Sequence, residues 1–234
     1  MARVRNPLSK GKKLKDQLVG RIRYKPDIRC KKERHGNDYG GWVICPDGLN
    51  KDSIVYSLGI GEDISFDLSI IKKYGVRLYA LDPIPRSIRW TLSQKLPSEF
   101  HLLSYGVSDH DGIQRFHPPK NPKHISYTVL DRPETAKKAI ELEVRRISTI
   151  MKDLRHKKID IIKMNIEGAE YVVVKDILEC RIDVNQLLIG FHHQFPGISI
   201  DETSDTIDDL RLAGYKVFNI SYTGRDYSLI RAWK

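Results

Sequence analysis

Acids, an amide and histidines that could handle a proton gather in two short stretches far apart in the chain. Asn165-Ile-Glu-Gly-Ala-Glu170 brings Asn165, Glu167 and Glu170 together, and Phe191-His192-His193-Gln194-Phe195 adds two imidazoles. Carboxylates beside a base of near-neutral pKa are suited to deprotonating a hydroxyl. Other stretches have the composition of a ligand cradle. Tyr56-Ser-Leu-Gly-Ile-Gly-Glu-Asp63 sets Gly59 and Gly61 ahead of Glu62, Leu81-Asp-Pro83 supplies Asp82, and Val107-Ser-Asp-His-Asp-Gly112 supplies Asp109.

Local pattern says how these residues are held. Ser53–Leu58 is an apolar run rich in β-branched and aromatic residues. Gly59 and Gly61 break it, and helical spacing resumes over Phe66–Lys73, so the unit reads strand, glycine turn, helix. Arg77–Leu81 is a second strand with Asp82 at its carboxyl end, the edge at which parallel α/β sheets bind ligands. Glycine lets the backbone approach a ligand closely, and an acid at the end of the next strand can accept from both ribose hydroxyls, which points to a nucleoside. A dinucleotide fingerprint wants three glycines and an unopposed helix N-terminus for pyrophosphate, whereas Glu62 and Asp63 stand where that anion would sit. S-adenosylmethionine has no phosphate and carries an ammonium and a sulfonium, so acids here suit it as cofactor.

The rest of the chain continues the alternation. Pro85–Gln94 reads as a helix and Phe100–Ser104 as the third strand. Asp109 follows it and could reach an adenine, although Asp109-His-Asp-Gly112 is also a hairpin turn returning through Ile113–Phe116. Residues 117–142, with Pro118, Pro119 and Pro122, lack periodicity and are expected to be a substrate lid. Glu141–Ile147 alternates as a strand, and Ser148 is expected to cap a helix through Leu154. The apolar strand Ile159–Met164 delivers Asn165, Glu167 and Glu170 opposite the first glycine turn, although Asn165 and first-turn acids also suit a helix cap. Gln186–Gly190 delivers the histidines; adjacent residues point to opposite faces, so one packs, and His192 is preferred over His193 as the base. Thr203–Ala213 is a helix, and Tyr215–Ser221 with Asp226–Ala232 forms an antiparallel pair. Together these predict a doubly wound, Rossmann-like α/β sheet, mostly parallel, with an antiparallel C-terminal hairpin.

The net charge of +10 is local. Residues 1–34 hold 13 of the 40 Lys and Arg but only 3 of the 30 Asp and Glu, so the body beyond them is neutral by count. This predicts a basic N-terminal extension, with a docking segment over Gln17–Tyr24, followed by one domain over 35–234. A nucleic-acid-binding reading rests on that extension alone, and its few aromatics argue against base stacking. No apolar run approaches membrane-span length and no signal core opens the chain, so a cytoplasmic protein is expected. Cys30, Cys45 and Cys180 are odd in number and widely spaced, supporting neither a disulfide framework nor a metal site.

From about His35 onward the chain resembles the FkbM family of S-adenosylmethionine-dependent methyltransferases. The resemblance is carried by Tyr56–Asp63, Ala80-Leu-Asp-Pro-Ile-Pro-Arg86, Val107–Gly112, Val144-Arg-Arg-Ile147 and, most specifically, Ile162-Lys-Met-Asn-Ile-Glu-Gly-Ala-Glu170. It implies O-methylation of a small-molecule or glycan acceptor: a hydroxyl of a sugar, a glycan or a secondary metabolite. Cofactor contacts are expected from Gly59, Gly61, Glu62, Asp82 and Asp109, acceptor positioning from Asn165, Glu167 and Glu170, and the base from His192 or His193. Two residues depart from the family pattern. Ser57 stands where many such enzymes place an acid, so the methionine ammonium needs Glu62, Asp63 or backbone carbonyls. Asn165 stands where Asp is usual, and an amide is no base; a donor-binding protein with weakened catalysis is the alternative this raises.

Overall fold

The computed structural model describes residues 25–121 and 125–232, so the docking segment expected over Gln17–Tyr24 lies outside the described residues. A short antiparallel ribbon, β1 (Glu33–His35) and β2 (Trp42–Ile44), leads in. β1 straddles residue 34, where the basic extension is expected to end. Upstream of it, Asp27 is clamped by Arg211 at 2.9 and 3.0 Å and accepts from the Val217 N–H at 2.9 Å.

The main sheet is built on β3 (Ile54–Leu58), β4 (Arg77–Leu81) and β5 (Phe100–Leu103), with α1 (Ser65–Tyr74) and α2 (Pro85–Leu92) between them. Two short strands, β6 (Gly106–Val107) and β7 (Gly112–Phe116), then leave it for β8 (Ile140–Arg145). After α3 (Ile147–Asp153) the chain returns as β9 (Ile159–Met164), α4 (Glu170–Glu179), β10 (Val184–Gly190) and α5 (Ile200–Leu212), and it closes with β11 (Tyr215–Ile220) and β12 (Asp226–Arg231). The strand order is β11-β12-β10-β9-β3-β4-β5, with β12 antiparallel to both neighbours and the rest parallel. This is the doubly wound sheet with an antiparallel hairpin that the alternating pattern predicts.

Every residue of β3 and β9 is buried, as strands covered on both faces require. Alternation sorts their side chains between two cores. Tyr56, Leu58, Ile162 and Met164 pack with residues of α3, α4 and α5, whereas Val55 and Ile161 pack with Phe66, Ile70 and Ile71 of α1. Buried Gln186 pins β2 to the sheet by accepting from the Cys45 N–H at 2.9 Å and donating to the Cys45 carbonyl at 2.7 Å. Among the described residues no helix is long and apolar enough to cross a membrane.

Two local expectations change. The strand after Asp109 does not fold back on β5. β7 instead pairs antiparallel with β8, and β6 pairs parallel with β8, in a separate three-stranded sheet. Nor does Ser148 cap α3, which starts at Ile147; Asp111 in the β6–β7 turn accepts from the Arg146 N–H at 2.8 Å and the Thr149 hydroxyl at 2.7 Å. A cap supplied from 35 residues away is invisible to a local capping rule. These bonds hold the Asp111 carboxyl below its ordinary value, so its contribution is present at neutral pH and lost as pH falls through the depressed folded value. Asp111→Ala is expected to lower stability at pH 7 by about 1 kcal/mol in urea unfolding, with the difference from wild type vanishing in acid.

Candidate active site

The strand order reverses direction between β9 and β3, and at this switch point the carboxyl ends of β3, β4 and β9 meet. Register fixes them: Leu58 pairs with Leu81 on one side and Met164 on the other. The Gly59 N–H then donates to the Leu81 carbonyl at 2.9 Å, and the Asn165 N–H donates to the Leu58 carbonyl at 3.1 Å. Above lies a cavity of about 690 Å³, within the range of small-molecule sites.

Gly59 and Gly61 line this cavity in left-handed conformations, φ +72° and +56°. A Cβ on Gly59 would lie 2.2 Å from the Asn165 carbonyl, so the turn can approach β9 only without a side chain. The Gly61 N–H donates at 2.9 Å to one carboxylate oxygen of Asp82, whose other oxygen accepts from the Ile84 N–H at 2.9 Å. Burial outweighs these bonds and pushes the Asp82 carboxyl up. Asp82 therefore ties the glycine turn to β4, and a carboxylate has lone pairs left for a ligand. Glu62 also lines the cavity, but Arg86 pairs with it at 2.6 and 3.1 Å.

Lys163 is the residue that strand periodicity hides. It is buried in β9, lines the cavity floor, and donates from Nζ to the Gly59 carbonyl at 2.8 Å. Burial pushes its pKa down against the opposing pull of Asp67, Asp82 and Asp63. Asp67, a buried residue of α1 that also reaches the cavity, is pushed up by burial in turn. They lie about a hundred residues apart in the chain, and the approach of α1 to β9 joins them.

Glu170 is fully buried and not among the residues facing the cavity, contrary to its expected contact with an acceptor. Its carboxylate turns back into the loop after β9, accepting from the Ile166 N–H at 2.7 Å and the Gly168 N–H at 2.9 Å, and it meets His192 Nδ1 at 2.9 Å. His192 Nε2 lies 3.8 Å from Glu167, and Glu167, at φ +56°, does line the cavity. Burial alone would lower the His192 pKa, but the Glu170 hydrogen bond and the charges of both glutamates raise it. His193 takes the opposite direction, its Nδ1 3.4 Å from the Thr203 hydroxyl on α5. Asn165 borders the cavity. Asp109 does not: it is half exposed and pairs with His110 at 2.9 Å, because β6 leads it away with the second sheet.

From the segment expected to be a lid, Ile125, Ser126, Tyr127 and Val129 join the cavity wall, and the Thr128 hydroxyl donates to the Glu167 carbonyl. From the loop between β1 and β2, Tyr39 and Gly40 border the cavity.

A cavity of small-molecule size at the switch point of a doubly wound sheet, framed by glycines and acids, is the arrangement of the Rossmann-like methyltransferase class. The Methyltransferase FkbM domain matches residues 31–217, and the chain belongs to that family, whose methyl donor is S-adenosylmethionine. It is 26% identical over 207 residues to the probable methyltransferase-like protein 24 of Rattus norvegicus, covering 80% of this chain and 49% of that one. To the Homo sapiens protein of the same description it is 25% identical over 181 residues, covering 71% and 42%. The chain thus spans about half the length, or less, of these curated relatives. Among solved structures, the fibrillarin pre-rRNA processing protein of Methanococcus jannaschii superposes with a TM-score of 0.48 at 11% identity, covering 89% of this chain and 88% of that one.

The two glycines make unequal demands. A Cβ on Gly61 would meet only the Ile125 side-chain tip at 3.0 Å, whereas on Gly59 it strikes backbone. Gly59→Ala should lower the unfolding midpoint more than Gly61→Ala, whose cost is limited to roughly 1–2 kcal/mol for its left-handed backbone. Equal midpoints in thermal unfolding would contradict the close approach.

Proposed function

We propose that the chain is an S-adenosylmethionine-dependent methyltransferase acting on a hydroxyl of a sugar, glycan or secondary metabolite, with Glu167 and His192 taking up the hydroxyl proton. The observation that supports this is the run Glu170, His192, Glu167: a fully buried carboxylate orients an imidazole whose other nitrogen faces a carboxylate on the cavity wall.

S-adenosylmethionine, when bound, supplies an electrophilic methyl on a sulfonium. Gly59 and Gly61 would allow its close approach and Asp82 would accept from its ribose. Around the acceptor, the protein's work is alignment and proton removal. Glu167 stands at the cavity and can accept the proton from an attacking hydroxyl, with His192 behind it to share the charge. The imidazolium so formed lies between two carboxylates, the arrangement that raises its pKa. Asn165, uncharged, can donate to or accept from the acceptor oxygen without adding a third carboxylate. The segment within 117–142 that contributes Ile125, Ser126, Tyr127 and Val129 to the cavity wall would serve as the lid, with Thr128 linking it to the Glu167 backbone.

The test is methyl transfer to a panel of sugars, glycosides and hydroxylated metabolites. A base must be unprotonated, so activity should rise with pH along a limb lying above the ordinary imidazole value of 6.5. His192→Gln should lose that limb and lower kcat by roughly 10²–10⁴-fold with donor binding retained, and Glu167→Gln should lower kcat similarly. His193→Gln should leave the limb in place. A His192→Gln enzyme with the wild-type rate and pH profile would eliminate the proposed base.

A further inference from the structure

Four acids stand around the glycine turn, and three are accounted for. Glu62 is paired with Arg86, Asp82 accepts from two backbone N–H groups, and Asp63 accepts from the Ser65 N–H and the Asn37 amide, each at 2.8 Å. Asp67 is different. It is 1% exposed, it reaches the cavity, and its Oδ1 is buried without a hydrogen-bond partner among the described residues. The Ser57 hydroxyl, itself without a hydrogen-bond partner among the described residues, is the neighbouring in-chain donor and can serve one carboxylate oxygen, which leaves the other for a donor from outside the chain.

Its surroundings say which kind of donor. Ser57 and Lys163 sit side by side across β3 and β9, and Asp67 from α1 lies against both. Lys163 spends one N–H on the Gly59 carbonyl, and its single ammonium faces the three acidic side chains of Asp63, Asp67 and Asp82, so a second cation has acids left to pair with. The terminal torsion of an aspartate is soft, which puts the orphan oxygen within a rotation of the cavity. A cationic group with several N–H donors satisfies both charge and hydrogen bonding; a neutral or anionic one does not.

We infer that Asp67 is the residue that holds the α-ammonium of the methyl donor, taking from α1 the role that an acid at position 57 would have filled from β3. This rests on the donor site described above. The same position shift explains Ser57: with Asp67 opposite, a second carboxylate on β3 would place like charges together in a buried space.

The test is calorimetric titration with S-adenosylhomocysteine, which keeps the ammonium, and with 5′-methylthioadenosine, which lacks the whole amino-acid moiety. Asp67→Asn should weaken S-adenosylhomocysteine about tenfold or more, the scale of one charge-assisted hydrogen bond, and leave methylthioadenosine within about twofold. Moving the acid back, in the double variant Ser57→Asp with Asp67→Asn, should recover most of the loss. Independently of any variant, the wild type should prefer S-adenosylhomocysteine about tenfold or more over its analogue lacking the α-amino group. Unchanged S-adenosylhomocysteine affinity in Asp67→Asn, or equal weakening of both ligands, would overturn the assignment while leaving the donor site standing. Failure of the wild type to bind either ligand would overturn both.

Discussion

A lysine ammonium buried at the carboxyl ends of the paired strands β3 and β9 is the interaction on which the site depends. Burying an isolated ammonium is prohibitively unfavourable, so Lys163 is tolerated only because the Gly59 carbonyl and the charges of Asp63, Asp67 and Asp82 surround it. The dependence is mutual. Without Lys163, three carboxyl groups and a carbonyl would converge with no counter-charge, and the glycine turn would lose its hydrogen bond to a β9 side chain. The arrangement is therefore a joint between two strands whose carboxyl ends must stay together, and the cavity is the space it leaves above.

That joint also explains why glycine is needed at position 59. Lys163 pulls the Gly59 carbonyl toward β9 until the turn touches the Asn165 carbonyl, leaving no room for a Cβ. Asp82 holds the far side of the same turn through Gly61, so the loop is gripped from both flanking strands. Rigid backbone around a cavity lowers the ordering cost of binding a ligand there.

Much of this was legible in sequence, for definite reasons. The glycine turn, Asp82 and the strand bearing Asn165 announce themselves because glycines and apolar runs are local signals, and chain-order alternation is enough to bring the strand ends to one edge. What escaped depends on contacts between distant segments. Lys163 stands inside the Ile162–Glu170 motif and Asp67 in a helical pattern, but what the two do together comes from α1 lying over β9. Asp109 misleads because the turn after β5 opens a second sheet, and β8, needed to reveal it, comes some thirty residues later. Glu170 misleads in another way: a first-turn acid can face a ligand or fold back on its own loop, and the backbone N–H groups of Ile166 and Gly168 choose the second.

Asn165 departs from the family pattern, and its neighbours give the departure a physical sense. Its Oδ1 lies where a Cβ on Gly190 would come within 2.6 Å, so the side chain fits against β10 only because position 190 is glycine. Glu167 and Glu170 already place two carboxylates around His192. A third carboxylate at 165 would raise the proton affinity of the whole group, keeping His192 charged to higher pH and unfit as a base. An amide keeps the shape and the hydrogen-bonding capacity of the aspartate while leaving that affinity where two glutamates set it. On the proposed mechanism, the change from Asp to Asn shifts proton handling entirely to the Glu167 and His192 pair, and the buried Glu170 is what makes that pair sufficient.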